Sequence, residues 1–232
     1  MASKYLNIGG GRFHQKDWLN LDYPFDKYAG KRDINSIDIK HNLMLMKKIP
    51  LENNSMEIVY SEHTIEHLSY KAAQFMLNES YRILCHSGII RIACPDAEVI
   101  YDFYKNDRQE LLITGKFDKN QSIECNMVDK LCSYLNIYYD SEEIKRKFKS
   151  MPKKDFIDLF CCYEHLDPNM QEKNPGAHVS CWTFDKLKHC MEKAGFRKIK
   201  QKQQRASKHD ELTKSFIDTT APLITLYIEG YK

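Results

Sequence analysis

The run Tyr5-Leu6-Asn7-Ile8-Gly9-Gly10-Gly11 constrains this chain more than any other stretch. A short apolar strand breaks directly into consecutive glycines. Glycine at a strand end lets the backbone approach a neighbour that any Cβ would strike. A second strand-like run, Trp18-Leu19-Asn20-Leu21, ends on Asp22, whose carboxylate is placed to accept hydrogen bonds from a ribose diol. Together they point to a nucleoside-bearing ligand at the carboxyl edge of a parallel sheet. The glycines alone also fit a plain turn. Gly9-x-Gly11 lacks the third glycine of the dinucleotide fingerprint, and no Gly-Lys-Ser/Thr follows. Only 11 positions (22 − 11) separate Gly11 from Asp22, against about twenty in the dinucleotide motif. A pyrophosphate is not the expected group.

The first hundred residues alternate strand and helix patterns. Asp38 to Leu43 and Met56 to Tyr60 read as strands. Ser69 to Leu84 has helical spacing and is expected to end at the turn Ser87-Gly88. Gly88 to Cys94 is a further strand, stopped by Pro95. After Tyr101 the pattern changes. Helices are expected from Ser141, with Glu142 and Glu143 in the first turn, and over Asp155 to Glu164. Alternation returns with a helix from Thr183 to Gly195, then strands over Arg197–Gln203 and Leu223–Glu229. The expected fold is therefore α/β, with a seven-stranded, mostly parallel, Rossmann-like sheet and helices on both faces. Residues 1–101 and 177–232 would form the core. Residues 102–176 would be a helical insertion after the fifth strand, a lid over the acceptor.

Composition excludes several classes. Among 232 residues, 35 Lys and Arg face 32 Asp and Glu, a net charge of +3, with no long basic run. Nucleic acid is not an expected partner. The eight cysteines contain no Cys-x-x-Cys pair, so neither a zinc finger nor a disulfide framework is expected. No signal-like segment and no apolar run near eighteen residues appears, which predicts a cytoplasmic protein with no membrane insertion.

Tyr60 to Leu68 carries His63-x-x-Glu66-His67, the spacing of an inverted zinc-peptidase helix. That reading would require a long helix and a distant Glu ligand, so a zinc hydrolase is the lesser alternative and no metal is expected. His67 is instead expected to pack the turn into the next helix.

In order, Leu6-Asn7-Ile8-Gly9-Gly10-Gly11, Trp18 to Asp22, Asn42-Leu43, Leu51 to His63, Tyr81 to Leu84 and Ile90 to Asp96 match one family. Ala194-Gly195-Phe196 and Leu226 to Glu229 extend the match. The chain resembles class I S-adenosylmethionine-dependent methyltransferases, in particular a bacterial subgroup associated with surface-polysaccharide clusters. The resemblance implies S-adenosyl-L-methionine bound by Asn7, Gly9, Gly10, Gly11, Asp22, Asn42, Leu43, Ser61 and Glu62. Backbone amides at Gly9 and Gly11 would meet its methionine part, and the Asn42 amide oxygen would accept from the adenine amine. His63, His178 and Asp96 are the candidate catalytic groups, needed only if the acceptor must lose a proton. The implied acceptor is a small sugar-linked or phosphoryl-linked molecule of capsule or other surface-polysaccharide synthesis. A non-catalytic partner protein on the same fold is the other alternative. The oligomeric state is not readable from the sequence.

Overall fold

The structure, a computed structural model, describes residues 4–10, 13, 15–24, 36–106, 124, 126–127, 131, 141–160 and 176–232. Seven strands form one sheet: β1 Tyr5–Ile8, β2 Trp18–Asp22, β3 Ile39–Lys40, β4 Met56–Glu62, β5 Leu84–Pro95, β6 Arg197–Lys202 and β7 Thr225–Tyr231. Their order is β3-β2-β1-β4-β5-β7-β6. The first five pair in parallel, while β7 runs antiparallel to both β5 and β6. This is the Rossmann-like sheet the alternation predicts. Five helices accompany it among the described residues: α1 Tyr70–Ile83, α2 Ala97–Lys105, α3 Ser141–Ser150, α4 Lys153–Phe160 and α5 Phe184–Ala194.

Local signals explain most boundaries. Ser69 caps α1 by accepting from the Ala72 amide, and Thr183 caps α5 by accepting from Lys186. Gly195 ends α5 at φ 107°, a conformation that suits glycine. The expected turn at Ser87-Gly88 does not end α1. The helix stops at Ile83 and β5 starts at once, because Leu84 already pairs with Met56. Ser87 instead takes φ 66° where that ladder shifts register. The helix expected over Asp155 to Glu164 is α4, starting at Lys153; residues 161–164 lie outside the described residues.

One face of the sheet buries Leu6, Ile8, Val59, Ile90 and Ile92 against Ala72, Ala73, Met76 and Leu77 of α1 and Leu187 and Met191 of α5. Each large aliphatic side chain so buried contributes roughly 1.5–3 kcal/mol. On the opposite face the strand register lines up Asn20, Asn7, Tyr60, Arg91 and Glu229 across five strands. The β6–β7 connection covers this row. Arg91, fully buried, pairs with Asp218 and with Glu229 (2.8 Å), and donates to the Gln203 and Ala206 carbonyls. Tyr60 accepts from the Asp218 amide at 2.8 Å.

Helices α2, α3 and α4 enclose a second apolar cluster that includes Tyr101, Tyr104, Phe148 and Phe156, and it joins the core through Cys181 and Ile224. Tyr101 and Tyr104 are packing residues. Tyr138, Tyr139 and Tyr163, and most of 102–176, lie outside the described residues. Cys85, Cys94, Cys181 and Cys190 are free thiols. Among the described residues no helix is long and apolar enough to cross a membrane.

Arg91→Leu would leave buried Asp218 without its cation and Glu229 with Lys202 at 3.4 Å. It is expected to lower unfolding free energy by about 3–5 kcal/mol in urea titration; a loss under about 1 kcal/mol would show that the network adds nothing.

Candidate active site

Parallel pairing brings the carboxyl ends of the strands to one rim. Ile8 lies beside Leu21 and Ser61, Asp22 beside Lys40, and Glu62 beside Ala93. Gly9, Asp22, Ser61, Glu62, His63 and Asp96 therefore gather at this edge, with Asn42 just beyond β3.

Gly9 adopts φ 77°, and a Cβ there would run into the side chain of Thr64. A Cβ on Gly10 would press on Asn20. The amides of both glycines point at the Leu21 carbonyl, at 2.8 and 3.3 Å. Gly9 and Gly10 thus serve this loop by lacking side chains, and the expected amide contact from Gly9 is replaced by the bond to Leu21. Gly11 lies outside the described residues. Asn7, expected at the rim, sits within the polar row and donates from Nδ2 to Asn20 Oδ1 at 3.3 Å. Leu43 is a core residue of a short helical turn.

Two buried polar atoms at the rim lack a partner among the described residues. Asn42 caps the turn 43–45, its Oδ1 accepting from the Met44 amide at 2.9 Å. That bond fixes the orientation of the amide, and Nδ2 is left buried and unsatisfied. Asn42 therefore has a donor to offer, in addition to the oxygen that the sequence suggested would accept. Ser61 Oγ is likewise buried and unsatisfied. Such groups are rare in native interiors and call for a partner such as water, an ion or a ligand. Asp22, 8% exposed, receives the Tyr23 amide on Oδ1 at 2.7 Å.

Asp96 caps α2 by accepting from the Glu98 and Val99 amides on Oδ1. Burial raises its pKa against the pull of those two amides. Glu62 is tied to the β6–β7 connection, accepting from the Thr220 amide at 2.7 Å and the Thr219 hydroxyl at 3.4 Å.

His63 is more unusual. It takes φ 47°, and its amide continues the ladder to the Ala93 carbonyl. Its Nδ1 lies 3.2 Å from Glu66 Oε1 and its Nε2 3.0 Å from Thr225 Oγ1. The Thr225 hydroxyl has carbonyls of Ala221 and Thr220 within 2.8 and 3.1 Å for its single proton, so its oxygen accepts from Nε2. With a carboxylate beside the other nitrogen, these surroundings favour the imidazolium over the neutral ring. Burial disfavours that charge, but Glu66 outweighs it and His63 titrates above the usual histidine value.

Glu66 is fully enclosed, with neither oxygen in a hydrogen bond of good geometry among the described residues. Burial alone would raise its pKa; the rings of His63, His67 and His178 bring it down to about 2. His67 donates or accepts at the Ala177 carbonyl through Nδ1 (3.0 Å), and a carbonyl can only accept, so Nδ1 carries the proton. His178 stacks edge-on against His67, ring centres 5.1 Å apart. The His63-x-x-Glu66-His67 run lies on a three-residue turn, Ile65–His67, rather than on the helix a zinc peptidase of that class needs. Nothing in the run's sequence signalled that His178, more than a hundred residues away, would complete the group. A separate groove between α1 and α5, lined by Tyr70, Lys71, Gln74 and Lys193, contains none of these residues.

Residues 14–92 match a family model described as a methyltransferase domain. The match spans 79 (92 − 14 + 1) of the 232 residues and supports a methyltransferase enzyme with S-adenosyl-L-methionine as its cofactor. No curated protein sequence matches. Solved structures are similar at a distance. An S-adenosylmethionine-dependent methyltransferase from Thermotoga maritima, described as a possible histamine N-methyltransferase, is 16% identical, covering 99% of this chain and 82% of its own, with a TM-score of 0.47. One from Archaeoglobus fulgidus is 16% identical, covering 100% and 86%, with a TM-score of 0.45. One from Mesorhizobium loti is 10% identical, covering 100% and 92%, with a TM-score of 0.46.

Asn42→Asp keeps the cap oxygen but replaces the unsatisfied donor with an acceptor. Cofactor affinity measured by calorimetry is expected to fall about tenfold or more. Tighter binding would show that the methyltransferase uses position 42 as an acceptor.

Proposed function

We propose that this methyltransferase acts on a small phosphoryl-linked or sugar-linked acceptor, in the synthesis of capsule or another surface polysaccharide. The resemblance of the rim motifs to that subgroup supports the setting. The single observation that carries the phosphoryl side of the reading is the contact between His63 and Glu66 at the rim, which raises the pKa of His63 and favours its cationic form.

The residues suit an adenosyl sulfonium. Asp22 would accept from the ribose hydroxyls, Asn42 Nδ2 would donate to the adenine ring, and Ser61 Oγ would gain its missing partner. Gly9, Gly10, Gly11 and Glu62 would line the same edge. Bound there, the cofactor supplies a methyl group already activated by positive charge. The protein's task is then alignment, which can account for roughly 7–11 kcal/mol of a barrier.

An anionic phosphoryl oxygen needs no base, and an imidazolium beside it neutralises charge and fixes its position. A sugar hydroxyl would need a base, and the present geometry offers His63 for that only after it gives up a proton. Asp96, as the α2 cap, is a positioning residue in this scheme. His178 stands with Glu66. Residues 102–176 would form the acceptor-binding region; the described part packs onto Cys181 and Ile224 beside the rim.

Two measurements test the reading. Asp22→Ala should weaken S-adenosylmethionine binding at least about a hundredfold, the loss of two charge-assisted bonds, with an unchanged circular dichroism spectrum; retained affinity would remove Asp22 from the ribose site. In a screen of phosphorylated metabolites and sugar nucleotides for labelled methyl uptake, His63→Gln should raise acceptor KM while kcat stays within a few-fold. A kcat loss of about a hundredfold or more, with KM unchanged, would make His63 the base for a hydroxyl acceptor instead.

A further inference from the structure

Holding His63 does not account for the two further imidazoles, His67 and His178, that face Glu66. This carboxylate is 1% exposed, and neither oxygen has a hydrogen-bond partner among the described residues. Ligand atoms of Glu66, His67 and His178 all lie within 4.8 Å of one another. They come from two segments far apart in sequence that the backbone locks together. The Glu66 carbonyl accepts from the amides of both Val179 and Ser180, at 2.8 and 3.1 Å, and Ser180 Oγ donates to the Ile65 carbonyl. The relative placement of the three side chains is thus built by the fold.

The histidine geometry adds a second observation. The proton of His67 is on Nδ1, directed at the Ala177 carbonyl, which turns the other ring nitrogen, Nε2, toward the carboxylate. That nitrogen faces Glu66 Oε1 at 3.9 Å. A backbone carbonyl on the far nitrogen is the support that metal-bound imidazoles commonly have, because it fixes both tautomer and ring orientation.

We propose that Glu66, His67 and His178 form a site for one divalent transition-metal ion at the acceptor side of the rim. Two imidazoles and a carboxylate suit Zn²⁺, Mn²⁺ or Fe²⁺ rather than Ca²⁺, whose ligands are oxygens. Three protein ligands leave a coordination position open. His63 lies outside the trio, its Nδ1 3.2 Å from Glu66 Oε1, the oxygen that also faces His67. This departs from the metal-free site expected from the sequence, and it differs from the zinc-peptidase reading, which pairs His63 with His67. If the acceptor assignment above is right, and only then, an acceptor oxygen at the open position would be bound and polarised by the ion.

The test uses the full chain, stripped with chelator, without cofactor or acceptor. Zn²⁺ uptake is measured by elemental analysis after gel filtration, and Co²⁺ binding by visible ligand-field absorption. One ion per chain is expected, with affinity reduced at least about tenfold in His67→Ala and in His178→Ala. His189→Ala, on the exposed side of α5, should bind as the parent does. Melting curves identify a variant that fails to fold, in which case His178→Asn replaces it. Absence of stoichiometric metal, or binding unchanged in both variants, overturns the site. S-adenosylmethionine binding to the same stripped protein separates the two ideas. Cofactor bound without metal uptake defeats only the metal site; metal bound without cofactor defeats only the methyl-transfer assignment.

Discussion

The buried guanidinium of Arg91 is the interaction on which the rest of the sheet depends. It stands in the fifth strand, pairs with Glu229 on the seventh, and draws Asp218 down from the connection between the last two strands. Removing such a charge from water is costly, and two carboxylates plus two carbonyls offset that cost only in this one arrangement. The network therefore fixes how the antiparallel β7 seats against a parallel sheet. It also fixes the path of residues 203–221 over the face that α1 and α5 leave uncovered. Thr219, Thr220 and Thr225, at the end of that path, reach the rim and hold Glu62 and His63.

Glu66 does for the rim what Arg91 does for the sheet. Its carbonyl holds the returning segment 177–182 through two amides, and its carboxylate faces three imidazoles. A single residue thereby joins the two sequence-distant halves of the core and sets the charge of the site. Thr64, two positions earlier, fills the space over Gly9. The glycine-rich loop is consequently shaped by packing against the chain itself as well as by any ligand.

Much of this was legible in advance. The seven-strand alternation, the Ser69 and Thr183 caps and the Gly195 stop all follow from local chemistry, because capping and hydrophobic period act over a few residues. The start of β5 at Leu84 was not, since Ser87-Gly88 looks like a turn and only pairing with Met56 makes the preceding residues a strand. Site residues divide in the same way. Asp22 and Ser61 fall at the rim because strand ends are local. The place of Asn7 in the polar row was not legible, because alternation along a four-residue strand does not reveal which face carries that row. That Asn42 Nδ2 is left without a partner was not legible, because the bond from Met44 that fixes its amide exists only once the turn has formed.

By itself the sequence determined an α/β sheet, its order of elements and a rim carrying glycines and a terminal aspartate, since each depends on residues close along the chain. Only tertiary structure decided that His178 meets Glu66 and His67, that Glu66 stands beside His63, and that Asn42 leaves its Nδ2 unpartnered. Those properties arise from contacts between distant segments, where burial strengthens each interaction and leaves few partners to choose from.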